Sequence, residues 1–162
     1  MQTRFLKNVL SQPSAPYREH AVSRALKEEL IRGKVPHFED PIGNVVVGAK
    51  DRTEYLAKLR TQSRAPLRFF IAHMDHPGFH GVKWLTRRRL KVDWHGGSPN
   101  RLLQGASVWL ADKKGWLEPG KLTNVKLTPS GRAIQSAVVQ FPDSRIAEHS
   151  PRARNLFGGF RC

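Results

Sequence analysis

The stretch LRFFIAHMDHPG, from Leu67 to Gly78, decides which fold the sequence predicts. It opens with an apolar run, Phe69 to Ala72, and closes with a Pro–Gly pair. A short apolar run that ends in this way is typical of a buried strand followed by a loop. In an α/β sheet, polar residues at the carboxyl end of such a strand lie where ligands bind. The sequence therefore predicts a buried strand with a polar site at its end.

Two side chains at the end of this predicted strand, His73 and Asp75, are candidate site residues. In an extended segment, residues i and i+2 point to the same side, so both side chains would face one space. A neutral imidazole can bind a metal ion, and a nearby carboxylate can bind it too or orient the imidazole. The motif alone leaves two interpretations open, a ligand site or a polar strand end without chemistry.

Composition limits the class of protein. The chain has 162 residues, of which 39% are hydrophobic and 9% aromatic, as in a folded protein with one core or with a small domain and a second module. No apolar stretch approaches the roughly 20 residues that span a membrane, and the N-terminus has no apolar segment of signal-peptide type. The single cysteine, Cys162, excludes an intramolecular disulfide. We therefore expect a cytoplasmic protein.

The net charge of +15 raises the question of a nucleic-acid partner. The excess of basic residues is spread along the chain, and its densest cluster is Arg87–Arg89. A nucleic-acid groove would gather basic residues on one face, with aromatic residues between them for single strands. We favour a basic surface without such a partner and keep a nucleic-acid-binding or adaptor module as the alternative. The tryptophans are then stacking surfaces or core residues: Trp84, Trp94, Trp109 and Trp116.

The segments before Leu67 show helical and hairpin patterns. Apolar spacing and flanking Pro and Gly predict two helices, a pair of strands and a connecting loop with one helical turn. The helices cover Thr3 to Leu10 and Tyr17 to Arg32, the strands Val35 to Asp40 and Asn44 to Val47, and the loop Lys50 to Ala65. Asp40 and Asn44 are expected to form a structural turn pair around Gly43.

After Gly78, short apolar runs alternate with turns. This spacing predicts a small β-barrel or sandwich module. The expected strands are Val82 to Leu85, Leu90 to Trp94, Ala106 to Ala111, Trp116 to Leu117, Val125 to Leu127 and Ala137 to Phe141. From Pro142 the periodicity is lost. We therefore divide the chain into an α/β part (1–78), a β-module (79–141) and an irregular basic tail (142–162).

The order of these motifs resembles the start of the dinuclear zinc aminopeptidases, in particular the glutamyl aminopeptidase and endoglucanase-M group. The resemblance covers about residues 3–141. It is carried by Gln12-Pro13-Ser14, Asp40-x-x-Gly43-Asn44-Val45, Ile71-Ala-His-Met-Asp75-x-x-Gly78-Phe79, Leu90-Lys-Val-Asp-Trp-His-Gly-Gly97 and Leu103-Gln-Gly-Ala-Ser-Val108. It implies an α/β fold, the N-terminal part of a three-layer α/β metallopeptidase domain, followed by a small inserted β-barrel-like module.

The resemblance also implies hydrolysis of the N-terminal peptide bond of a peptide substrate, with two zinc ions as cofactor. His73 corresponds to a metal ligand, and Asp75 corresponds to the catalytic-site carboxylate that holds the imidazole of His73 in place. One departure lies beside them, because the family usually has Glu after the Asp and this chain has His76-Pro77. His76, His80 and His95 either join a site or are solvated, and their roles stay open.

The family's other ligands, a bridging aspartate, a Glu–Glu pair and further His or Asp residues, have no counterpart here. After Asp75 no two carboxylates are adjacent: Asp93, Asp112, Glu118, Asp143 and Glu148. We therefore expect a truncated form that binds zinc weakly or partially and is inactive alone. Phe69 to Ala72 would then be an exposed sheet edge, which favours self-association. A nonfunctional remnant of a gene is a further alternative.

Overall fold

The computed structural model describes residues 2–61, 67–116, 119–142 and 152–161. The chain forms two compact units. Unit 1 consists of Met1–Gln12 and Val22–Met74, and unit 2 of Pro13–Ala21 and Asp75–Cys162. No helix within the described ranges is long and apolar enough to cross a membrane.

The first half of the chain holds three helices and a two-stranded antiparallel hairpin. They are α1 (Gln2–Leu10), α2 (His20–Arg32), β1 (His37–Glu39), β2 (Val45–Val47) and α3 (Arg52–Arg60). Val22, Ala25 and Leu30 are buried on one face of α2, in agreement with its apolar spacing. The turn between β1 and β2 contains Gly43 at φ +92°, a conformation that favours glycine. The two helices and the hairpin that the sequence predicts are therefore confirmed.

Helix α3 replaces most of the loop predicted from Lys50 to Ala65, of which residues 62–65 lie outside the described residues. Asp51 caps its N-terminus, because the Asp51 carboxylate accepts a hydrogen bond of 2.8 Å from the Glu54 N–H. The Glu54 carboxylate in turn accepts one of 2.9 Å from the Lys50 N–H. This reciprocal bonding resembles a capping box, which starts a helix even in a polar sequence.

The stretch that follows α3 does not form the predicted buried strand. From Leu67 to Pro77 the backbone has no helix or strand, and the side chains of Phe70 and Ile71 are 95% and 97% exposed. An apolar run becomes a buried strand only when neighbouring strands bond its backbone and cover its side chains. In the part of the chain that the structure describes, no strand pairs with this stretch.

The three-layer α/β prediction is therefore wrong. Both sheets of the described chain are antiparallel, and most of its regular structure is a β-barrel with few helices. The strands of the second half are β3 (Gly78–Thr86), β4 (Arg89–His95), β5 (Ser107–Asp112), β6 (Gly115–Trp116), β7 (Gly120–Leu127), β8 (Ile134–Gln140) and β9 (Phe157–Phe160). The small β-barrel-like module expected after Gly78 agrees with these strands. Leu117 lies outside the described residues.

The barrel closes through β9. The strand order is β6-β5-β7-β8-β4-β3-β9, and β9 also pairs with β5, so that six strands form a ring. Inward residues of these strands are fully buried, including Phe79, Leu90, Val108, Leu122 and Val139. In β4 the inward residues Leu90 and Val92 alternate with the polar outward residues Arg89, Lys91 and Asp93, the period of two expected for a barrel wall.

Strand β9 lies in the segment for which the sequence predicts an irregular basic tail. It follows a short 3₁₀ helix, Ala153–Asn155, and Leu156 and Phe157 are fully buried in unit 2. Residues 143–151 of that predicted tail lie outside the described residues. The strand forms because its two glycines allow the backbones of the neighbouring strands to approach closely. A Cβ at Gly158 would lie 2.1 Å from the Trp109 carbonyl oxygen. A glycine inside a strand often marks a place where another backbone approaches closely.

Candidate metal-binding segment

His73 and Asp75 lie in the segment without regular structure that precedes the barrel. His73 is exposed and falls in unit 1, and Asp75 is partly buried and falls in unit 2. Because the segment is not a strand, the alternation argument that would place both side chains on one side does not apply to it. Their assignment as metal ligand and supporting carboxylate stays a prediction.

The described residues contain no group of three or more His, Cys, Asp or Glu side chains that could hold a metal ion. A catalytic zinc ion takes three protein ligands and a structural one takes four. The described part of the chain therefore does not by itself fit a complete zinc site.

A cleft of about 760 Å³ lies in unit 1 beside the segment that carries His73. Ala72 and Met74, the two neighbours of His73 in the chain, both line it. Most of its other lining residues are apolar, among them Leu26, Val45, Val47, Tyr55 and Phe69. Sizes and linings of this kind are typical of small-molecule and peptide side-chain sites. The apolar run, predicted as core, thus contributes to the wall of a cleft.

Asp40 and Asn44 form a local turn network. The Asp40 carboxylate accepts hydrogen bonds from the Ile42 N–H (3.0 Å), the Asn44 N–H (2.9 Å) and the Asn44 side-chain amide (2.8 Å). These bonds, that of the Asn44 side chain first, lower the pKa of Asp40 below its ordinary value. The structural turn pair expected from the sequence is confirmed.

The fold brings together two histidines that the sequence analysis treats as separate. The rings of His80 on β3 and His95 on β4 have centroids 4.3 Å apart. His80 Nε2 lies 2.7 Å from the Pro16 carbonyl oxygen, and since a carbonyl can only accept, Nε2 carries the proton. Burial lowers the pKa of His80 below its ordinary value. The pairing of β3 with β4 was predictable, but the register that makes these two rings neighbours was not. His76 is exposed.

Comparison with known proteins identifies the fold. No protein-family model and no curated protein sequence matches the chain. Solved structures of the TET1 peptidase of Pyrococcus horikoshii are similar to it. One, described as able to assemble into a tetrahedron or a large octahedral shell, is 21% identical; the match covers 99% of this chain and 47% of that chain, with a TM-score of 0.65. A second, of a PhTET1 dodecamer, is 20% identical; its match covers 99% of this chain and 46% of that chain, with the same TM-score.

The chain thus spans about half the length of the peptidase chains that it resembles. These structural neighbours are peptidases, as are the proteins that the sequence resembles. Fold similarity does not by itself assign a function, because one fold can carry many unrelated sites.

Proposed function

We propose that this chain carries the framework of a metal-dependent aminopeptidase, with His73 as a zinc ligand and Asp75 as the carboxylate that orients its imidazole. The observation that supports this most is the order of features: a His-x-Asp motif, then a closed β-barrel, in a chain whose fold is similar to that of a peptidase. In this proposal Asp75 accepts a hydrogen bond from one ring nitrogen of His73, which leaves the other nitrogen to bind the metal.

The cleft of unit 1 supports a peptide as the substrate class. It extends along both sides of His73 in the chain, through Ala72 and Met74, and its apolar wall suits an uncharged side chain. Hydrolysis would act on the N-terminal bond of a peptide held there.

The proposal includes a limit on the activity of this chain alone. Because the described residues offer no group of three metal donors, further ligands must come from elsewhere, either from undescribed residues or from another polypeptide. We expect weak zinc binding and no metal-dependent hydrolysis by the 162-residue chain on its own.

Self-association belongs to the same proposal. The peptidases with similar folds are described as a dodecamer and as tetrahedral or octahedral assemblies. We propose that this chain also associates with itself, through the exposed apolar residues Phe70 and Ile71.

Zinc titration of the chain and of two variants tests the site. We expect weak binding that is lost in His73→Ala and retained in His76→Ala, a matched control because His76 is also exposed and lies in the same segment. Equal zinc binding by the wild type and His73→Ala would contradict the assignment of His73.

Hydrolysis of a panel of aminoacyl anilides, with added zinc or cobalt, tests the limit on activity. We expect no turnover by the chain alone. Metal-dependent turnover that disappears in His73→Ala and in Asp75→Ala would show instead that this chain completes the site. Turnover that survives both substitutions would place the active site elsewhere.

A further inference from the structure

The register of the barrel gathers cations that are scattered in the sequence. Lys83 on β3 lies directly opposite Lys91 on β4, and Arg89 lies two positions before Lys91 on the same strand. Residues opposite each other in an antiparallel pair share one face of the sheet, as do residues i and i+2. Leu90 and Val92, which alternate with them, are buried in the core, so these three cations project from the outer side of the barrel.

The same face continues across the next three strands. Arg89 is opposite Gln140 on β8, Gln140 is opposite Lys121 on β7, and Lys121 is opposite Ser107 on β5. Neighbouring strands lie about 4.8 Å apart, so this row of four side chains crosses roughly 14 Å. We call Lys83, Arg89, Lys91, Lys121, Gln140 and Ser107 the cationic face.

In the described barrel strands, carboxylates are fewer than the four cations of this face. The ion pairs Lys27–Glu39, Arg32–Glu29 and Lys58–Glu54 lie in unit 1. In the described barrel strands the acidic residues are Asp93 and Asp112. Asp93, two positions after Lys91, lies on the same outer side opposite His80, and Asp112 accepts a hydrogen bond from the Lys114 N–H in a turn.

Two features of the face favour a bound anion. Like charges directly opposite each other on a sheet are destabilising, and Lys83 and Lys91 are such a pair. The Lys121 ammonium group donates a hydrogen bond of 2.8 Å to the Ser107 hydroxyl, so that both side chains are held together at the other end of the row. A ligand with several closely spaced negative charges would relieve the repulsion and contact both ends.

The chemistry of the face selects among polyanions. The aromatic residues next to the face already pack against other rings. Trp84 packs against Phe141 in the core, and Trp109, two positions after Ser107 on the same outer side, packs against Trp116 and Phe157, so these rings do not favour stacking of unpaired bases. Val138, which lies opposite Lys91 within the face, is buried and cannot insert into a bilayer. Duplex nucleic acid, which carries one charge per ~1.7 Å of its axis, presents phosphates without requiring either contact.

We propose that the cationic face of the barrel binds the phosphate backbone of duplex nucleic acid without preference for base sequence. This inference uses none of the residues of the proposed peptidase site and does not depend on that proposal. With about four phosphate contacts, the logarithm of the association constant falls with the logarithm of salt concentration with a slope of about −3.6. Affinity therefore drops by roughly 10²-fold between about 50 and 200 mM salt.

Fluorescence anisotropy with a short labelled DNA duplex tests the face. We expect Arg89→Gln/Lys91→Gln to weaken binding at least about 10-fold at low salt and to reduce the slope by about 2. The matched control is Lys7→Gln/Lys50→Gln, which removes the same charge at two exposed positions of unit 1. It is expected to leave the slope nearly unchanged. Circular dichroism of each variant verifies that the barrel is folded.

Four outcomes would overturn the proposal. The first two are no binding of the duplex at low salt and equal losses in the two double variants. The other two are a single-stranded oligonucleotide that binds more tightly than the duplex, and vesicles composed of phosphatidylserine and phosphatidylcholine that bind as tightly as the duplex. Equal losses would mean that net charge alone attracts the duplex.

Discussion

The imidazole rings of His80 and His95 lie side by side on neighbouring strands of the barrel, with centroids 4.3 Å apart and planes inclined by 43°. Burial lowers the pKa of His80, and the nearby His95 and Arg18 lower it further when charged. The hydrogen bond to the Pro16 carbonyl oxygen and the charge of Glu19 act in the opposite direction but are outweighed. Asp93, opposite His80 in the strand register, also faces this side of the barrel. The folded barrel therefore favours the uncharged form of His80.

The first prediction is a loss of stability in mild acid that depends on His80. Because the pKa of His80 is lower in the folded chain, the unfolded chain binds more protons as the pH falls below the ordinary value of 6.5. The free energy of unfolding should then decrease with falling pH until the folded-state pKa is passed. His80→Gln, whose amide can still donate to Pro16, should flatten this dependence in urea titrations.

The control for that prediction is His76→Gln, which removes an exposed histidine outside the barrel strands. It is expected to leave the pH dependence of the free energy of unfolding close to that of the wild type. An unchanged pH dependence in His80→Gln, or equal flattening in both variants, would contradict the role given to the histidine pair.

The second prediction concerns Gly158, where β9 passes between two strands. A Cβ there would lie 2.1 Å from the Trp109 carbonyl oxygen and 2.4 Å from the Phe79 ring. Gly158→Ala should therefore destabilise the barrel by about 1–3 kcal/mol, the usual effect of overpacking. Thermal unfolding followed by tryptophan fluorescence measures the loss.

Gly97→Ala is the matched control for Gly158→Ala, because a Cβ at Gly97 would meet no atom within 4 Å. It is expected to change stability by less than about 0.5 kcal/mol. If both substitutions had the same small effect, β9 would not close the barrel as the structure shows.

The third prediction concerns the cap of α3. Asp51→Ala removes the acceptor of the Glu54 N–H and should lower helix stability by about 1 kcal/mol, while Asp51→Ser should retain most of the cap. Hydrogen exchange of the amides of α3 reports the local loss. Equal protection in wild type and Asp51→Ala would show that the cap does not hold the helix.

That cap also shows why part of the fold was missed from the sequence. The Asp51-x-x-Glu54 pattern was present as a helix start, but the polar composition after it favoured a loop. The two other helices, the hairpin and the barrel strands up to β8 follow from local spacing, and so could be predicted. Strand β9 could not, because Phe157 to Phe160 has no alternation and forms a strand only through its close contacts with β3 and β5.

The candidate site, too, could be predicted only in part, because the sequence gives local information and little long-range information. The residues His73 and Asp75 stand out in the sequence. Whether the apolar run before them forms a strand depends on pairing partners that are distant in the chain. The histidine pair and the cationic face depend on strand register, which no local pattern fixes across four strands.

The last prediction concerns the exposed apolar residues Phe70 and Ile71, which are 95% and 97% exposed. Adjacent apolar side chains on a surface promote association, since burying them removes apolar area from water. We expect the chain to self-associate as its concentration rises, and Phe70→Ser/Ile71→Ser to shift it toward the monomer in sedimentation velocity. The matched control is Ile42→Ser/Leu102→Ser, which replaces side chains that are 85% and 96% exposed but lie far from each other in sequence. An equal shift in both double variants would mean that total apolar exposure causes the association, whereas a monomeric wild type at all concentrations would remove the basis for an interface at this segment.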